Sequence, residues 1–253
     1  QAVACTTINQ SVGFKSFLLE GVTGSGKTEV YLQCLEEVLK RGEQALVLVP
    51  EIGLTPQTVN RFRRRFPDTP IMLWHSALTD NERLQTWRFC EKGSCAIVIG
   101  TRSSIFLPFL KLGMIVVDEE HDSSFKQQDT LRYHARDLAA YRAFQHKIPL
   151  ILGSATPALE TLHKAINNKY QLLSLTERAQ TATDNQFMLL DMKGQPDQAG
   201  IAHASLATMR QHLNRGKQVM VFLNRRGFSP TLICHECGWL SECNRCSTSA
   251  TFH

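Results

Sequence analysis

The stretch that decides the fold reads Phe17-Leu18-Leu19-Glu20-Gly21-Val22-Thr23-Gly24-Ser25-Gly26-Lys27-Thr28-Glu29-Val30. Its first residues form a short apolar run typical of a buried strand, and from Val30 onward apolar residues recur at helical spacing until Gly42. Between strand and helix, residues 21–28 match the pattern G-x-x-x-x-G-K-[ST] at every fixed position. A chance match on a glycine-rich turn is the alternative, but the position between strand and helix favours a phosphate-binding loop.

The glycines of this loop have a physical purpose. They permit positive φ angles and bring backbone N–H groups against phosphate oxygens, while the following helix directs its N-terminal dipole at the anion. Lys27 would reach the β- and γ-phosphates, and the Thr28 hydroxyl would ligate Mg²⁺. The predicted nucleotide-binding residues are Gly21, Val22, Thr23, Gly24, Ser25, Gly26, Lys27 and Thr28.

Working outward, short apolar runs alternate with amphipathic stretches up to about Leu175. A capping box at Thr79 predicts a helix through Phe89, and Thr156 followed by Pro157 predicts another helix start. The alternation predicts an α/β domain with a parallel sheet and helices on both faces. The predicted strands are 17–19, 45–49, 71–74, 96–99, 114–117 and 150–152.

The pattern changes after residue 175. Residues 176–186 are polar and lack a period, and they are followed by strand candidates at 187–190 and 218–223 around a helix at about 205–214. We therefore divide the chain into a first domain (1–175), a linker with the start of a second α/β domain (176–231), and a cysteine-rich segment (232–253).

Composition limits the class of protein. The 253 residues are 43% apolar and 20% charged with a net charge of +5, which excludes a disordered tail. No apolar run approaches the ~20 residues of a membrane span, and residues 1–10 lack the features of a signal peptide. We expect a soluble cytoplasmic protein. Because the chain lacks an initiator Met and stops soon after a cysteine pair, we also expect a fragment of a longer protein.

A second motif supports the first. Residues 115–117 form an apolar run that delivers Asp118 and Glu119 at its carboxyl end, the edge where such sheets bind ligands. Asp118 would hold Mg²⁺ through water, and Glu119 would polarise the attacking water, so the predicted catalytic residues are Lys27, Asp118 and Glu119. An acidic cluster by itself is more often a solvated turn.

The motifs together resemble the superfamily 2 helicases. Asp118-Glu119-Glu120-His121 is of the DEXH type, and Gly153-Ser154-Ala155-Thr156-Pro157 is similar to the S-A-T motif that couples ATP state to DNA contacts. The resemblance narrows to the bacterial replication-restart helicases through the runs at 48–57, 100–103, 121–128, 132–137 and 222–228. It implies two RecA-like domains with ATP and Mg²⁺ between them, and 3′-to-5′ unwinding at stalled forks that starts primosome assembly.

The resemblance also implies DNA contacts. Residues 122–136 match an aromatic-rich loop that senses single-stranded DNA, with Phe125 and Tyr133 suited to stacking and Lys126, Arg132 and Arg136 suited to phosphates. An ordinary helix entry with a solvated basic face is the alternative. The predicted DNA-binding or coupling residues are Arg102, Phe125, Lys126, Arg132, Tyr133, Ser154 and Thr156. Implied partners are single-stranded and forked DNA, single-stranded DNA-binding protein and other primosome proteins, with a location at the bacterial nucleoid.

Four of the eight cysteines form two zinc knuckles, Cys234 with Cys237 and Cys243 with Cys246. Only five residues separate the pairs, against the ~15–20 of a typical one-ion ribbon, so we expect two half-sites completed by residues beyond this chain. The resemblance implies the same, with the first pair on one Zn²⁺ and the second pair on another. Cys5, Cys34, Cys90 and Cys95 are isolated and are predicted to be core residues.

Two other functions fit parts of the sequence. A P-loop kinase or unrelated phosphotransferase would share the loop at 21–28, and a zinc-dependent docking module could retain it without catalysis.

The basic run 61–66 has two interpretations, a core helix and a direct contact with DNA. Helical spacing favours the first, with Val59, Phe62 and Phe66 in the core and the arginines on a solvated face. Because the late G-T-Q and Q-x-x-G-R-A-G-R motifs are absent from this sequence, we expect the polypeptide to bind nucleotide but to hydrolyse it poorly.

Overall fold

A computed structural model describes residues 1–50, 55–177, 186–198, 200–222, 234 and 236–239. The chain divides into two compact units, Gln1–Ala182 and Thr183–His253. Several motif residues therefore lie outside the described ranges, among them Cys243, Cys246, part of the run at 48–57 and most of the run at 222–228.

Seven parallel strands form the sheet of the first unit: β1 (Lys15–Gly21), β2 (Gln44–Leu48), β3 (Ile71–Trp74), β4 (Ile97–Gly100), β5 (Leu112–Val117), β8 (Pro149–Ser154) and β9 (Gln171–Leu175). A separate antiparallel pair is formed by β6 (Lys126–Gln127) and β7 (Tyr133–His134). The strand order in the sheet is β3-β4-β2-β5-β8-β1-β9. All six strands predicted for the first domain are confirmed. β9 was not predicted; it is an edge strand, and Leu175 is its only buried residue.

Helices cover both faces of this sheet. They are α1 (Ala2–Asn9), α2 (Lys27–Lys40), α3 (Pro56–Arg65), α4 (Asp80–Glu91), α5 (Ala135–His146) and α6 (Leu159–Ile166). Successive strand residues point to opposite faces, so Val47 packs with α1, α2 and α3, while Leu46 and Leu48 pack with α4, α5 and α6. Because both faces are buried, the strands are apolar throughout, as the parallel-sheet prediction requires.

Local sequence sets the helix ends. The Thr79 capping box is confirmed, with the Thr79 and Glu82 side chains each bonded to the other's backbone N–H. The predicted helix start at Thr156 is wrong: α6 begins at Leu159 with Ala158 as its N-cap. The Thr156 N–H instead donates to the Ser154 hydroxyl at 2.9 Å, which holds the segment in a turn before the helix.

The second unit contains a short antiparallel pair, β10 (Asp197–Gln198) with β11 (Ile201–Ala202), and α7 (His203–Asn214). The predicted helix is confirmed, but the described residues form neither predicted strand, and Leu223 lies outside them. Residues 187–190 and 218–222 are irregular, and none of the described residues pairs with them. Most of their apolar side chains are exposed.

Two further findings concern burial. Cys5, Cys34, Cys90 and Cys95 are all buried, which confirms their assignment to the core. Within the described part of the chain, no helix is long and apolar enough to cross a membrane.

Candidate functional site

The glycine-rich loop closes on itself at the carboxyl end of β1. Gly24 and Gly26 adopt φ angles of +83° and +90°, which only glycine adopts without strain. The Ser25 N–H donates to the Val22 carbonyl at 3.0 Å, and the buried Lys27 ammonium donates to the Gly21 carbonyl at 2.7 Å. The lysine is thus folded back across the loop, where an arriving phosphate would replace the carbonyl as its partner.

Gln1 lies against this loop. Its side-chain amide donates to the Ser25 carbonyl at 2.9 Å, and a Cβ added to Gly26 would lie only 1.9 Å from the same nitrogen. The absence of a side chain at Gly26 therefore lets the amide of Gln1 cover the loop.

The acidic pair lies at the carboxyl end of β5, beside the loop. Asp118 is held by its own N–H, which donates to the Leu48 carbonyl at 2.9 Å, and its Oδ1 accepts hydrogen bonds from Tyr31 Oη at 3.0 Å and from the Glu119 N–H at 3.1 Å. Glu119 has a positive φ of 47°, an unusual conformation for a residue with a Cβ. This bend turns the chain sharply as it leaves the strand.

Burial shifts the pKa values of Asp118, Glu119 and Tyr31. Burial raises the pKa of Asp118, while the Tyr31 hydrogen bond and the Lys27 charge oppose the increase. Burial and the neighbouring Asp118 charge raise the pKa of Glu119. Burial, with Asp118 beside it, also holds the pKa of Tyr31 well above its ordinary value, so its hydroxyl remains a hydrogen-bond donor.

One cavity of about 660 Å³ joins these parts. The Thr28 hydroxyl and the Asp118 carboxylate both line it, and hard oxygen donors of this kind suit Mg²⁺. The structure therefore brings together the predicted phosphate and magnesium residues. The cavity is lined by Thr23, Gly24, Gly26, Lys27, Thr28, Glu29, Leu32, Arg61, Asp118 and Glu119.

Arg61 is a residue of this cavity that sequence reasoning missed. Arg61 is exposed, as the helical pattern predicted for the arginines of this run, and its guanidinium donates to the Thr28 hydroxyl at 3.3 Å. The rest of that prediction is confirmed, since Val59 and Phe62 of α3 and the following Phe66 are buried. The only sequence signal for Arg61 was its basic character, because the packing of α3 beside the loop is a tertiary feature.

The DEXH-type and S-A-T-type motifs meet through hydrogen bonds. His121 Nδ1 lies 2.7 Å from the Ser154 hydroxyl, and His121 Nε2 lies 3.5 Å from the Thr156 hydroxyl. The same atom, His121 Nδ1, also lies 3.7 Å from Glu119 Oε2. A continuous polar path therefore runs from Glu119 to Ser154 and Thr156.

Glu120 is the centre of a buried network. It is fully buried and accepts hydrogen bonds from Arg136 Nη1 at 3.0 Å, Thr161 Oγ1 at 2.8 Å and the Ala158 N–H at 2.8 Å. Arg136 is itself only 7% exposed, so the expectation that it contacts DNA phosphates is wrong. The Arg136 charge instead pairs with Glu120 inside the protein.

The loop at 122–136 contains both buried and exposed members. Phe125 is 0% exposed, so the prediction that its ring stacks on bases is wrong: the ring anchors the loop in the core. Tyr133 is partly exposed and packs edge to face on Phe106, with ring centroids 5.1 Å apart. Arg102 donates to the Ser124 and Lys126 carbonyls, each at 3.2 Å, and so supports the loop.

The exposed part of this loop borders a cavity of about 500 Å³. Lys126 and Arg132 lie there beside Tyr133, which brings together two cations and one aromatic ring. These three predicted DNA-contacting residues therefore share one surface, and Phe125 is excluded from it.

The first cysteine pair lies in a tight turn. The Gly238 N–H donates to the Cys234 carbonyl at 2.9 Å, and Gly238 has a φ of +75°. Backbone N–H groups of Cys237 and Glu236 lower the pKa of the Cys234 thiol, which favours the thiolate that binds metal. Two thiols in such a turn fit one half of a zinc site. Within the described residues no group of three or more candidate metal ligands occurs, and Cys243 and Cys246 lie outside them.

Curated proteins of similar sequence support the predicted relation to the replication-restart helicases. The chain is 53% identical, over 100% of its length, to the "Replication restart protein PriA" of Haemophilus influenzae, of which it covers 34%. It is 46% identical, again over 100% of its length, to the protein of the same name from Synechocystis, of which it covers 31%. The chain thus spans about a third of the length of these relatives. The predicted relation to the replication-restart helicases is confirmed.

Solved structures show a shared fold. The structure of RecG bound to a three-way DNA junction matches 72% of this chain and 24% of its own, with a TM-score of 0.53 and 21% identity. The DUF1998 helicase MrfA bound to DNA matches 70% of this chain and 27% of its own, with a TM-score of 0.51 and 14% identity. These matches support a RecA-like helicase fold for the first unit. Residues 1–165 match the model of the DEAD/DEAH box helicases, and the chain belongs to that family.

Proposed function

We propose that this chain is the ATP-binding part of a 3′-to-5′ DNA helicase that recognises stalled or abandoned replication forks and starts primosome assembly. The observation that carries the proposal is the single cavity where Lys27 and Thr28 face Asp118 and Glu119. A phosphate cradle opposite two carboxylates, at the carboxyl edge of a parallel sheet, is the arrangement that nucleotide hydrolysis needs. The sequence similarity to the replication-restart proteins supports the finer assignment.

Each residue of the cavity has a proposed role. Lys27 would leave the Gly21 carbonyl and bind the β- and γ-phosphates, and Thr28 and Asp118 would hold Mg²⁺. The metal would neutralise charge on the phosphates during transfer. Glu119 would orient the attacking water and accept its proton, a role that suits a carboxylate whose pKa is raised by burial and by Asp118.

We further propose that DNA bound near Lys126, Arg132 and Tyr133 affects this cavity through the surrounding structure. The Arg102 hydrogen bonds support the loop from one side. The contacts of His121 with Ser154 and Thr156 provide a polar path to Glu119. Single-stranded and forked DNA would be the substrates of the motor, and residues 176–231 would begin its second RecA-like domain.

The proposal also includes two zinc sites. Cys234 and Cys237 would bind one Zn²⁺, and Cys243 and Cys246 a second, in an insertion where single-stranded DNA-binding protein and other primosome proteins could dock at the nucleoid. Zinc content of the full-length protein carrying Cys234→Ser or Cys243→Ser tests the assignment, because the other ligands of each ion are expected outside this chain. Two separate ions predict that each variant loses one and keeps the other, whereas a single shared ion predicts that either variant loses all zinc.

DNA-stimulated ATP hydrolysis and strand separation by the full-length protein test the motor itself. We expect Lys126→Ala with Arg132→Ala to weaken single-stranded DNA binding and to raise the DNA concentration needed for half-maximal stimulation, because two phosphate contacts are lost. A matched control is Lys92→Ala with Arg88→Ala on the exposed end of α4. Strand separation distinguishes a helicase from a P-loop phosphotransferase, which would transfer phosphate without unwinding DNA.

A further inference from the structure

One tyrosine hydroxyl contacts Asp118, a residue that lines the candidate nucleotide cavity. Tyr31 is in α2, four residues after Lys27, so it faces the same side of the helix as the phosphate-binding lysine. The residue is 1% exposed, and its hydroxyl is 3.0 Å from Asp118 Oδ1. The side chain therefore joins the helix of the phosphate loop to the carboxylate at the end of β5.

The two oxygens of Asp118 have different surroundings. Oδ1 accepts from Tyr31 and also from the Glu119 N–H at 3.1 Å, so two protein donors occupy it. None of the described residues donates a hydrogen bond to Oδ2, and the residue lines the cavity. The carboxylate is thus bound at one oxygen, while the other is available to a ligand.

Gly153 provides the space for this contact. A Cβ added to Gly153 would lie 1.6 Å from Tyr31 Oη, a distance that no relaxed structure permits. Gly153 belongs to β8, which pairs with β5 next to Asp118, as the register Val117 to Leu152 shows. The hydroxyl consequently fits in a slot between the ends of two neighbouring strands and cannot easily move away from the carboxylate.

Packing alone does not require the hydroxyl, because a phenylalanine ring would fill the same part of the core. We propose that Tyr31 is a positioning residue for the magnesium site: by holding Oδ1, it fixes the Asp118 rotamer and leaves Oδ2 free for the hydrated Mg²⁺ of a bound nucleotide. This inference rests on the proposed nucleotide-binding function. Ligand geometry set by hydrogen bonds from neighbouring residues is a general feature of metal sites.

The test is the magnesium dependence of nucleotide binding. A fluorescent ADP analogue is titrated into wild-type protein and Tyr31→Phe, once with Mg²⁺ and once with EDTA. We expect Tyr31→Phe to lose about tenfold in affinity with Mg²⁺, a typical effect for an outer-shell partner of a metal ligand, and to match wild type in EDTA. Tyr170→Phe is the matched control, since it removes a hydroxyl bonded to Lys164 outside the cavity.

Asp118→Asn closes a double-mutant cycle. If Tyr31 acts through Asp118, then adding Tyr31→Phe to Asp118→Asn changes the magnesium dependence no further, because the two effects are coupled. Gly153→Ala should reproduce the defect independently by displacing the same hydroxyl. Urea unfolding identifies any variant whose loss reflects instability.

The outcomes separate the two proposals. Equal magnesium dependence in Tyr31→Phe and wild type, a higher metal affinity in the variant, or an equal loss in EDTA overturns the positioning role while leaving nucleotide binding intact. Additive effects in the cycle also overturn it. Wild-type protein that does not bind the analogue at all overturns the proposed function, and the role of Tyr31 with it.

Discussion

Arg136 Nη1 lies 3.0 Å from Glu120 Oε2, and both side chains are buried. Glu120 follows β5, and Arg136 lies in the first turn of α5. Through Thr161 and the Ala158 N–H, the same carboxylate also holds the start of α6. One buried ion pair, with the hydrogen bonds of Glu120, thus joins the end of β5 to the starts of α5 and α6.

Breaking this pair should destabilise the first unit strongly. Arg136→Met keeps most of the volume but leaves the Glu120 charge unpaired in the core, which typically costs about 3–5 kcal/mol. Urea denaturation measures the free energy of unfolding, with the exposed Arg88→Met as control. A loss as small as that of the control would show that the pair contributes little.

Arg136 illustrates what the sequence could and could not predict. Apolar period, glycine positions and capping residues are local signals, so they predicted the six strands of 1–175 and the phosphate loop. Which residues of the 122–136 loop face the interior depends on tertiary packing, which local signals do not report. Composition grouped Phe125 and Arg136 with exposed residues, although one anchors the core and the other neutralises Glu120.

The same reasoning explains two other differences. No role was predicted for Tyr31 from the sequence, because nothing local indicates that its hydroxyl reaches a carboxylate 87 residues away. Residues 187–190 are apolar enough for a strand, but a strand needs a partner, and none of the described residues provides one. Both features depend on contacts between residues that are far apart in the sequence.

A pH effect is expected from His134, the N-cap of α5, whose Nδ1 accepts a hydrogen bond from the Arg136 N–H at 3.3 Å. Burial, with the nearby Arg136 charge, lowers the pKa of His134 below its ordinary value of 6.5. The unfolded chain therefore binds this proton more readily than the folded chain. The stabilising effect of neutral His134 is complete above pH 6.5 and is lost as the pH falls below it.

His134→Asn tests this effect, because asparagine caps a helix well and does not titrate. We expect the variant and wild type to unfold at similar urea concentrations at pH 8, and wild type to be the less stable of the two at pH 5. Parallel loss of stability in both proteins over this range would refute the assignment to His134.

Arg61 should strengthen nucleotide binding. Its guanidinium lines the cavity beside Thr28, so it adds positive charge where phosphates would bind. We expect Arg61→Ala to weaken ATP binding several-fold at low salt and less at high salt, since ions screen exposed charges within about 10 Å at 0.1 M. Arg64→Ala, on the same helix but outside the cavity lining, is the control. Equal effects of the two substitutions would indicate a general charge effect.

Ser154 should couple the site to DNA. Its hydroxyl accepts from the Thr156 N–H and lies 2.7 Å from His121 Nδ1, so Ser154→Ala removes both contacts. In the full-length protein, we expect ATP affinity to change less than about twofold while DNA-stimulated hydrolysis falls about tenfold, because two net hydrogen bonds are lost from the coupling path. The exposed Ser94→Ala is the control. Undiminished stimulation in Ser154→Ala would rule out this path.

ATP binding by the purified chain tests the central claim most directly. Calorimetric titration in the presence of Mg²⁺ compares wild type with Lys27→Ala, and urea unfolding confirms that both are folded. The cavity that Lys27 shares with Thr28 and Asp118 predicts binding by wild type and a loss of at least about tenfold in the variant, since a charged contact to phosphate is removed. Absence of binding by wild type, or equal affinity in the two proteins, would contradict the account.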